Sequence, residues 1–187
     1  MLSQKEFLKN VVEKLEQAGI DYVICGSIAA SFYGVERSTE DADIIISSTE
    51  EQLAKFLKLL GDSYYVSEDT ALDALKRRTM FNIIDLEDAW KADLIILKET
   101  DFGAKEFQRK RKEILLGKDL YILSPEDIVL SKLVWAEQSR SQLQYSDVSR
   151  ILEVWSGHLD MKYLNKWAKE LGVEKALAEI IEATREL

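Results

Sequence analysis

The 187-residue chain has little of the chemistry that binds soft metals or forms nucleophile–base pairs, since it contains one cysteine and one histidine. A single cysteine excludes an intramolecular disulfide, and Cys25, inside an apolar segment, is typical of a small buried side chain. The same scarcity excludes a thiolate or imidazole zinc site. It also excludes a Ser–His–acid arrangement around the isolated His158. A metal would therefore need oxygen ligands, which favours magnesium, manganese or calcium.

Positive charge and long apolar runs are also scarce. The chain has 25 Lys and Arg against 34 Asp and Glu, a net charge of −9. Because phosphate backbones are bound by clustered Lys and Arg, we expect no extended duplex nucleic acid as a partner. The densest basic run, 105–112, is interpreted as a solvated helix face. No apolar stretch approaches the roughly 18 residues of a membrane span, and no secretory signal is recognisable, so we expect a cytoplasmic protein without a membrane partner.

Two acidic residues at the start of an apolar segment indicate a metal-binding site. One apolar segment runs from Tyr22 into Gly26-Ser27, and thirteen residues later a second begins with Asp41 and Asp43. Side chains at i and i+2 of a strand point to the same face, so these two carboxylates share one. Like charges repel there, which predicts a divalent cation between them.

A third carboxylate is needed to complete a two-metal or metal–substrate site. Asp93 is preferred because it is a lone acid at the start of the apolar strand predicted over 92–97, where a buried charge needs a reason. Asp85 is the competitor, at the end of the strand predicted over 80–85, but the chain there runs into a polar turn.

The order of patterns predicts an α/β fold with a mixed sheet, followed by helices alone. Short apolar strands alternate with helices up to a hairpin around Gly117, and the helix over 103–111 is the last before that hairpin. Ser124-Pro125 is a strong helix start, and four helices are predicted from there to Leu187. We therefore predict an α/β domain over 1–123 and a C-terminal helical subdomain over 124–187 that packs on it.

The string of motif residues resembles the nucleotidyltransferase superfamily of the DNA polymerase β type. Within it, the chain is most similar to the small prokaryotic nucleotidyltransferases grouped with the toxins of type IV toxin–antitoxin systems. The resemblance covers about residues 20–155 and includes Ser124-Pro125 and Lys132 in the helical half. The matching residues of the first half are Gly26-Ser27, Tyr33-Gly34, Arg37, Thr39, Asp41, Asp43 and the later Asp93.

This resemblance implies a Mg²⁺-dependent (or Mn²⁺-dependent) transfer of a nucleoside monophosphate from an NTP to a hydroxyl. Asp41, Asp43 and Asp93 would be the catalytic residues and the ligands of two metal ions, which activate the hydroxyl and bind the triphosphate. The nucleotide-binding residues would be a backbone turn near a helix N-terminus and two cations, namely Gly26, Ser27, Arg37 and Lys132.

The acceptor is left open by the sequence: an RNA 3′ end such as that of tRNA, a protein side chain or a small molecule. An antitoxin protein is a further expected partner, implied by the resemblance alone. The alternative function is a regulatory module of the same fold that binds a nucleotide or a protein without turnover. Three clustered acids favour the enzyme, because a binding module has no need of them.

Overall fold

The computed structural model describes residues 3–36, 38–39, 41–115 and 117–185. The chain divides into two compact units. The first, here called the α/β unit, consists of Met1–Cys25 and Ser38–Ile122. The second, the helical unit, consists of Gly26–Arg37 and Leu123–Leu187. The predicted domain boundary at residue 123, with the helices packed on the sheet, stays a prediction.

The α/β unit contains one mixed sheet. In the described part of the chain its strands are β1 (Asp21–Ile24), β2 (Asp41–Ser47), β3 (Tyr64–Tyr65), β4 (Met80–Asp85), β5 (Lys91–Ile96), β6 (Arg111–Leu115) and β7 (Lys118–Ile122). Their spatial order is β3-β4-β5-β2-β1-β7-β6. The pairs β2–β5 and β1–β7 are parallel, and the other neighbours are antiparallel. The α/β prediction with a mixed sheet is confirmed.

Nine α-helices lie in the described residues: α1 (Gln4–Ala18), α2 (Gly26–Ser31), α3 (Glu50–Leu60), α4 (Glu68–Arg77), α5 (Asp101–Gln108), α6 (Pro125–Ser139), α7 (Gln142–Val154), α8 (Met161–Glu170) and α9 (Glu174–Arg185). Of these, α1, α3, α4 and α5 belong to the α/β unit, and the others to the helical unit. The four helices predicted after residue 124 are thus present. No helix in the described ranges is long and apolar enough to cross a membrane.

The sheet face opposite to that of Asp41 and Asp43 is apolar and buried along the middle strands. Ile44 and Ile46 of β2 and Leu94 and Ile96 of β5 have no exposed surface. After their first residues β2 and β5 are continuous aliphatic runs, which is why they could be found in the sequence. Their first residues, in contrast, carry the charged side chains.

The basic run over 105–112 is not one helix face. Helix α5 ends at Gln108, and β6 begins at Arg111, so the predicted helix is shorter than expected. Lys110 lies between the two elements, where its ammonium pairs with Asp21. Its Nζ atom also lies 4.5 Å from the centroid of the Phe107 ring.

The helical unit is built around α6, whose N-terminus is buried. The Ser124 hydroxyl caps the helix by accepting from the Asp127 N–H at 3.3 Å. The Asp127 carboxylate in turn accepts from the Tyr163 hydroxyl of α8 at 2.6 Å. The Tyr33 hydroxyl donates to the Leu123 carbonyl at 2.8 Å. These bonds satisfy the polar groups that burial of a helix start would otherwise leave unpaired.

A buried ion pair joins α6 to α7. The ammonium of Lys132 lies 2.7 Å from Asp147 Oδ2 and 3.0 Å from Gln144 Oε1, and both charged side chains are at most 5% exposed. Removal of one partner from such a pair leaves a buried charge without its counter-charge, which costs about 3–5 kcal/mol.

We therefore expect Lys132→Met to lower the free energy of unfolding by about 3 kcal/mol or more, measured by urea denaturation followed by circular dichroism. The double variant Lys132→Met/Asp147→Leu should recover much of the loss, because it removes both charges. Lys166→Met is the control, since Lys166 is exposed and its nearest carboxylate oxygen, on Glu170, is 3.9 Å away. A Lys132→Met protein as stable as the wild type would contradict a stabilising pair.

Candidate active site

The pairing of β2 with β5 brings together three carboxylates and one ammonium. The two strands are parallel, with Asp41 opposite Lys91 and Asp43 opposite Asp93. Residues directly opposite in a sheet share a face, and so do residues two apart along one strand. All four side chains therefore point to the same face of the sheet, here called the acidic face. The intervening Ala42 and Ala92 are fully buried.

Hydrogen bonds fix the backbone that carries the first two aspartates. The Thr39 hydroxyl donates to the Asp41 carbonyl at 3.2 Å. Gln4, on α1, donates from its side-chain amide to the Thr39 carbonyl at 2.6 Å. The Cys25 N–H donates to the Asp43 carbonyl at 2.9 Å. The positions of these carboxylates therefore depend on α1 and on the residue after β1 as well as on β5.

Lys91 forms ion pairs with two of the three carboxylates. Its Nζ atom lies 3.2 Å from Asp41 Oδ2 and 3.3 Å from Asp93 Oδ2. Burial disfavours the ammonium, but hydrogen bonds and charge interactions with Asp41 and Asp93 outweigh this and raise the pKa of Lys91. The lysine is therefore held in its charged form between the two aspartates.

Asp93 is the most buried acid of this face, at 9% exposure. Its Oδ2 faces Lys91, but its buried Oδ1 has no hydrogen-bond partner among the described residues. A buried carboxylate oxygen without a partner is costly, so it needs an explanation such as an ion or a ligand.

Asp85, the competing third acid, has a different environment. In the antiparallel β4–β5 pair, Ile84 is opposite Lys91, so the alternation of side chains directs Asp85 to the other face. Its Oδ2 accepts from the Asp88 N–H at 2.8 Å in the turn after β4. In that turn Ala89 has a φ of 58°. Asp85 therefore stabilises the turn and lies apart from the acidic face.

The acidic face suits a hard divalent cation in its donor chemistry. Carboxylate oxygens are the ligands that Mg²⁺ and Mn²⁺ prefer, and the unpartnered Asp93 Oδ1 provides an available one. However, no group of three or more acidic, histidine or cysteine side chains in the described ranges is arranged to hold a metal ion. The ammonium of Lys91 lies between two of these carboxylates, those of Asp41 and Asp93.

The predicted nucleotide-binding residues belong to the helical unit. Gly26, at the start of α2, has a φ of 61°, a left-handed conformation that favours glycine. Ser27 is buried within α2, a helix of six residues. Lys132 is buried and bonded to Asp147 and Gln144, so it is not the surface residue that many helix lysines are. Arg37 lies outside the described residues.

Lys91 is the residue that sequence reasoning missed. It precedes Asp93 by two residues, but the strand predicted over 92–97 excluded it, whereas β5 begins at Lys91. Its proximity to Asp41 depends on the parallel register, which a single strand does not reveal.

The helical unit also has an open groove of about 830 Å³, whose lining includes three acids and a tyrosine: Glu137, Tyr145, Glu174 and Glu179. None of the predicted site residues lines this groove. It is therefore separate from the residues that the sequence motifs indicate.

Comparison with known proteins gives structural matches only. No protein-family model matches the chain. No curated protein matches it either. An antigenic nucleotidyltransferase-like protein from Paracoccidioides brasiliensis matches 98% of this chain and 89% of its own, with a TM-score of 0.67 and 18% identity.

Two further solved structures are similar along most of their length. ANT(2″)-Ia, solved in complex with adenylyl-2″-tobramycin, matches 99% of this chain and 98% of its own, with a TM-score of 0.57 and 15% identity. The lincosamide antibiotic adenylyltransferase LnuA, solved with lincomycin bound, matches 82% of this chain and 98% of its own, with a TM-score of 0.55 and 11% identity. These likenesses confirm the fold predicted from the motif string: the chain has the nucleotidyltransferase fold.

Proposed function

We propose that the protein is a nucleotidyltransferase that uses Mg²⁺ or Mn²⁺ to transfer a nucleoside monophosphate from an NTP to an acceptor hydroxyl. One observation carries this proposal: Asp41, Asp43 and Asp93 share one sheet face, and the buried Oδ1 of Asp93 has no hydrogen-bond partner among the described residues. The nucleotidyltransferase fold supports it.

In this proposal the three carboxylates have related roles. Asp41, Asp43 and Asp93 would hold the divalent cation, which when bound supplies positive charge to the triphosphate and lowers the pKa of the acceptor hydroxyl. Asp93 is the most buried of the three, so it would lie at the base of the site. The Asp41 side chain is 45% exposed, so it lies on the open side, where an acceptor can approach.

The nucleotide-binding roles remain proposals residue by residue. Gly26 and Ser27 would offer backbone N–H groups to a phosphate, and Arg37 a planar fork of donors. Lys132 has three donors, two of which point to Asp147 and Gln144. A direct phosphate contact by Lys132 would therefore use its third donor.

Among the three predicted acceptor classes we place a small molecule first. The solved structures of ANT(2″)-Ia and LnuA contain adenylyl-2″-tobramycin and lincomycin respectively, both small molecules. The net charge of −9 adds to this, because it repels a polyanionic acceptor. A tRNA end, a protein acceptor, an antitoxin partner and a cytoplasmic location stay predictions.

The second candidate is the nucleotide- or protein-binding module without turnover. It is favoured by the position of Lys91, whose ammonium lies between two of the predicted metal ligands. In such a site the ammonium of Lys91 could contact a nucleotide phosphate without the metal that turnover requires.

We expect Asp43→Asn and Asp93→Asn each to reduce the rate of pyrophosphate release strongly. Loss of a residue that only hydrogen-bonds to a metal ligand costs roughly 10–100-fold, and loss of a ligand itself should cost more. Each change removes a charged oxygen donor from the acidic face while it keeps the size of the side chain. The control is Asp119→Asn, because Asp119 is likewise on a strand, β7, and is paired to a lysine, Lys112, at 2.5 Å, but it is half exposed and not on the acidic face. Variants that keep the wild-type rate would contradict the catalytic role.

We expect label from one of the four NTPs to enter the small-molecule fraction when the protein is incubated with Mg²⁺ and separated pools of RNA, protein and metabolites. Addition of EDTA should abolish the transfer, and excess Mg²⁺ should restore it, because the divalent cation supplies the charge on the triphosphate. Label in the RNA or protein pool would instead identify RNA or protein as the acceptor and contradict a small-molecule acceptor. Mg²⁺-dependent NTP binding with no labelled product would favour the binding module, and no NTP binding would contradict both candidates.

A further inference from the structure

Lys91 lies between two carboxylates of the acidic face. Its strand neighbours on that face include the apolar Ile84 of β4, Asp41 across the parallel pair and Asp93 two residues along β5, and its Nζ lies within 3.3 Å of both aspartates. Asp43, opposite Asp93, adds a third carboxylate to the same face.

The ammonium satisfies the acidic face only in part. It contacts one oxygen of Asp93, while the buried Oδ1 of the same carboxylate has no partner in the described part of the chain. An ammonium is a compact point charge with three donors, whereas a divalent cation brings twice the charge and several oxygen ligands. The open oxygen of Asp93 therefore suits a divalent cation.

Lys91 and a divalent cation would use the same oxygens. Both are attracted to Asp41 and Asp93, and two positive charges a few ångströms apart repel strongly in a partly buried site. The Lys91 side chain is 30% exposed and flexible, so its ammonium has room to withdraw towards solvent.

We propose that Lys91 is a built-in counter-ion that holds the acidic face together without metal and competes with the divalent cation for Asp41 and Asp93, so that it sets the metal affinity of the site. The inference rests on the proposed metal-dependent function, but it concerns binding and is tested without NTP or acceptor. It predicts that the lysine opposes metal binding, whereas a lysine with a merely structural role would leave the affinity unchanged.

The test is the affinity for Mn²⁺ alone, measured by electron paramagnetic resonance of free Mn²⁺ and by isothermal titration calorimetry. Lys91→Met keeps the apolar stem and removes the charge, so it should bind Mn²⁺ about tenfold more tightly or better, since a nearby like charge has been removed. Its melting temperature should fall in EDTA and rise more on addition of Mn²⁺ than that of the wild type.

Two variants serve as controls. Lys91→Arg retains the charge and should keep the Mn²⁺ affinity of the wild type within about threefold. Lys118→Met removes a lysine of similar exposure that pairs with Glu16 at 2.7 Å, elsewhere in the same unit, and should leave the affinity unchanged.

A spectroscopic measurement on the wild type covers the case in which Lys91→Met does not fold. With lysine labelled at Cε, the Lys91 resonance, assigned by its absence in Lys91→Arg, should shift on titration with Mg²⁺, and the Lys118 resonance should not. The inference is overturned if Lys91→Met binds Mn²⁺ no more tightly than the wild type, if neither protein binds Mn²⁺, or if Mg²⁺ binds without a shift at Lys91. Tighter binding by Lys91→Met in a protein that transfers no nucleotide would support the inference and contradict the proposed function.

Discussion

The parallel register of β2 on β5 is the constraint on which the candidate site depends. It sets Asp43 opposite Asp93 and Asp41 opposite Lys91, and thereby gathers four charges from two distant segments on one face. A slip of one residue would turn the β5 side chains to the other face and separate the acids. The register is secured by the aliphatic residues that follow, since Ile44 and Leu94 pair directly and are fully buried. The buried core of the sheet thus holds the charged ends of its strands in place.

On the acidic face, the ion pairs that stabilise the protein use the same carboxylate oxygens that a metal ion would need. Three carboxylates close together repel each other, and the ammonium of Lys91 offsets part of that repulsion. The same ammonium lies against the oxygens that a divalent cation would need. Asp93 Oδ1 is buried and has no hydrogen-bond partner among the described residues, so the ammonium of Lys91 leaves this carboxylate oxygen unsatisfied. In the proposal made above, such a site would be stable without metal at the expense of metal affinity.

The sequence predicted what depends on one strand and missed what depends on strand pairing. Alternation within a strand was sufficient to assign Asp41 and Asp43 to one face, and β2 begins at Asp41. The choice of Asp93 over Asp85 rested on local context, while the cross-strand register that sets Asp93 opposite Asp43 was not visible in the sequence. For the same reason Lys91 was overlooked, although it precedes Asp93 by two residues. The burial of Lys132 against Asp147 likewise required the packing of two helices, which a helical pattern does not specify.

The central claim is that the acidic face binds a divalent cation together with an NTP. The most direct measurement is a crystal structure with Mn²⁺ and an NTP analogue that cannot be cleaved between its α- and β-phosphates, with the metal identified by anomalous scattering. The account predicts an anomalous peak within about 2.0–2.3 Å of oxygens of Asp43 and Asp93, with Nζ of Lys91 withdrawn from at least one aspartate. A nucleotide bound with Lys91 still between Asp41 and Asp93, and no metal on that face, would contradict it.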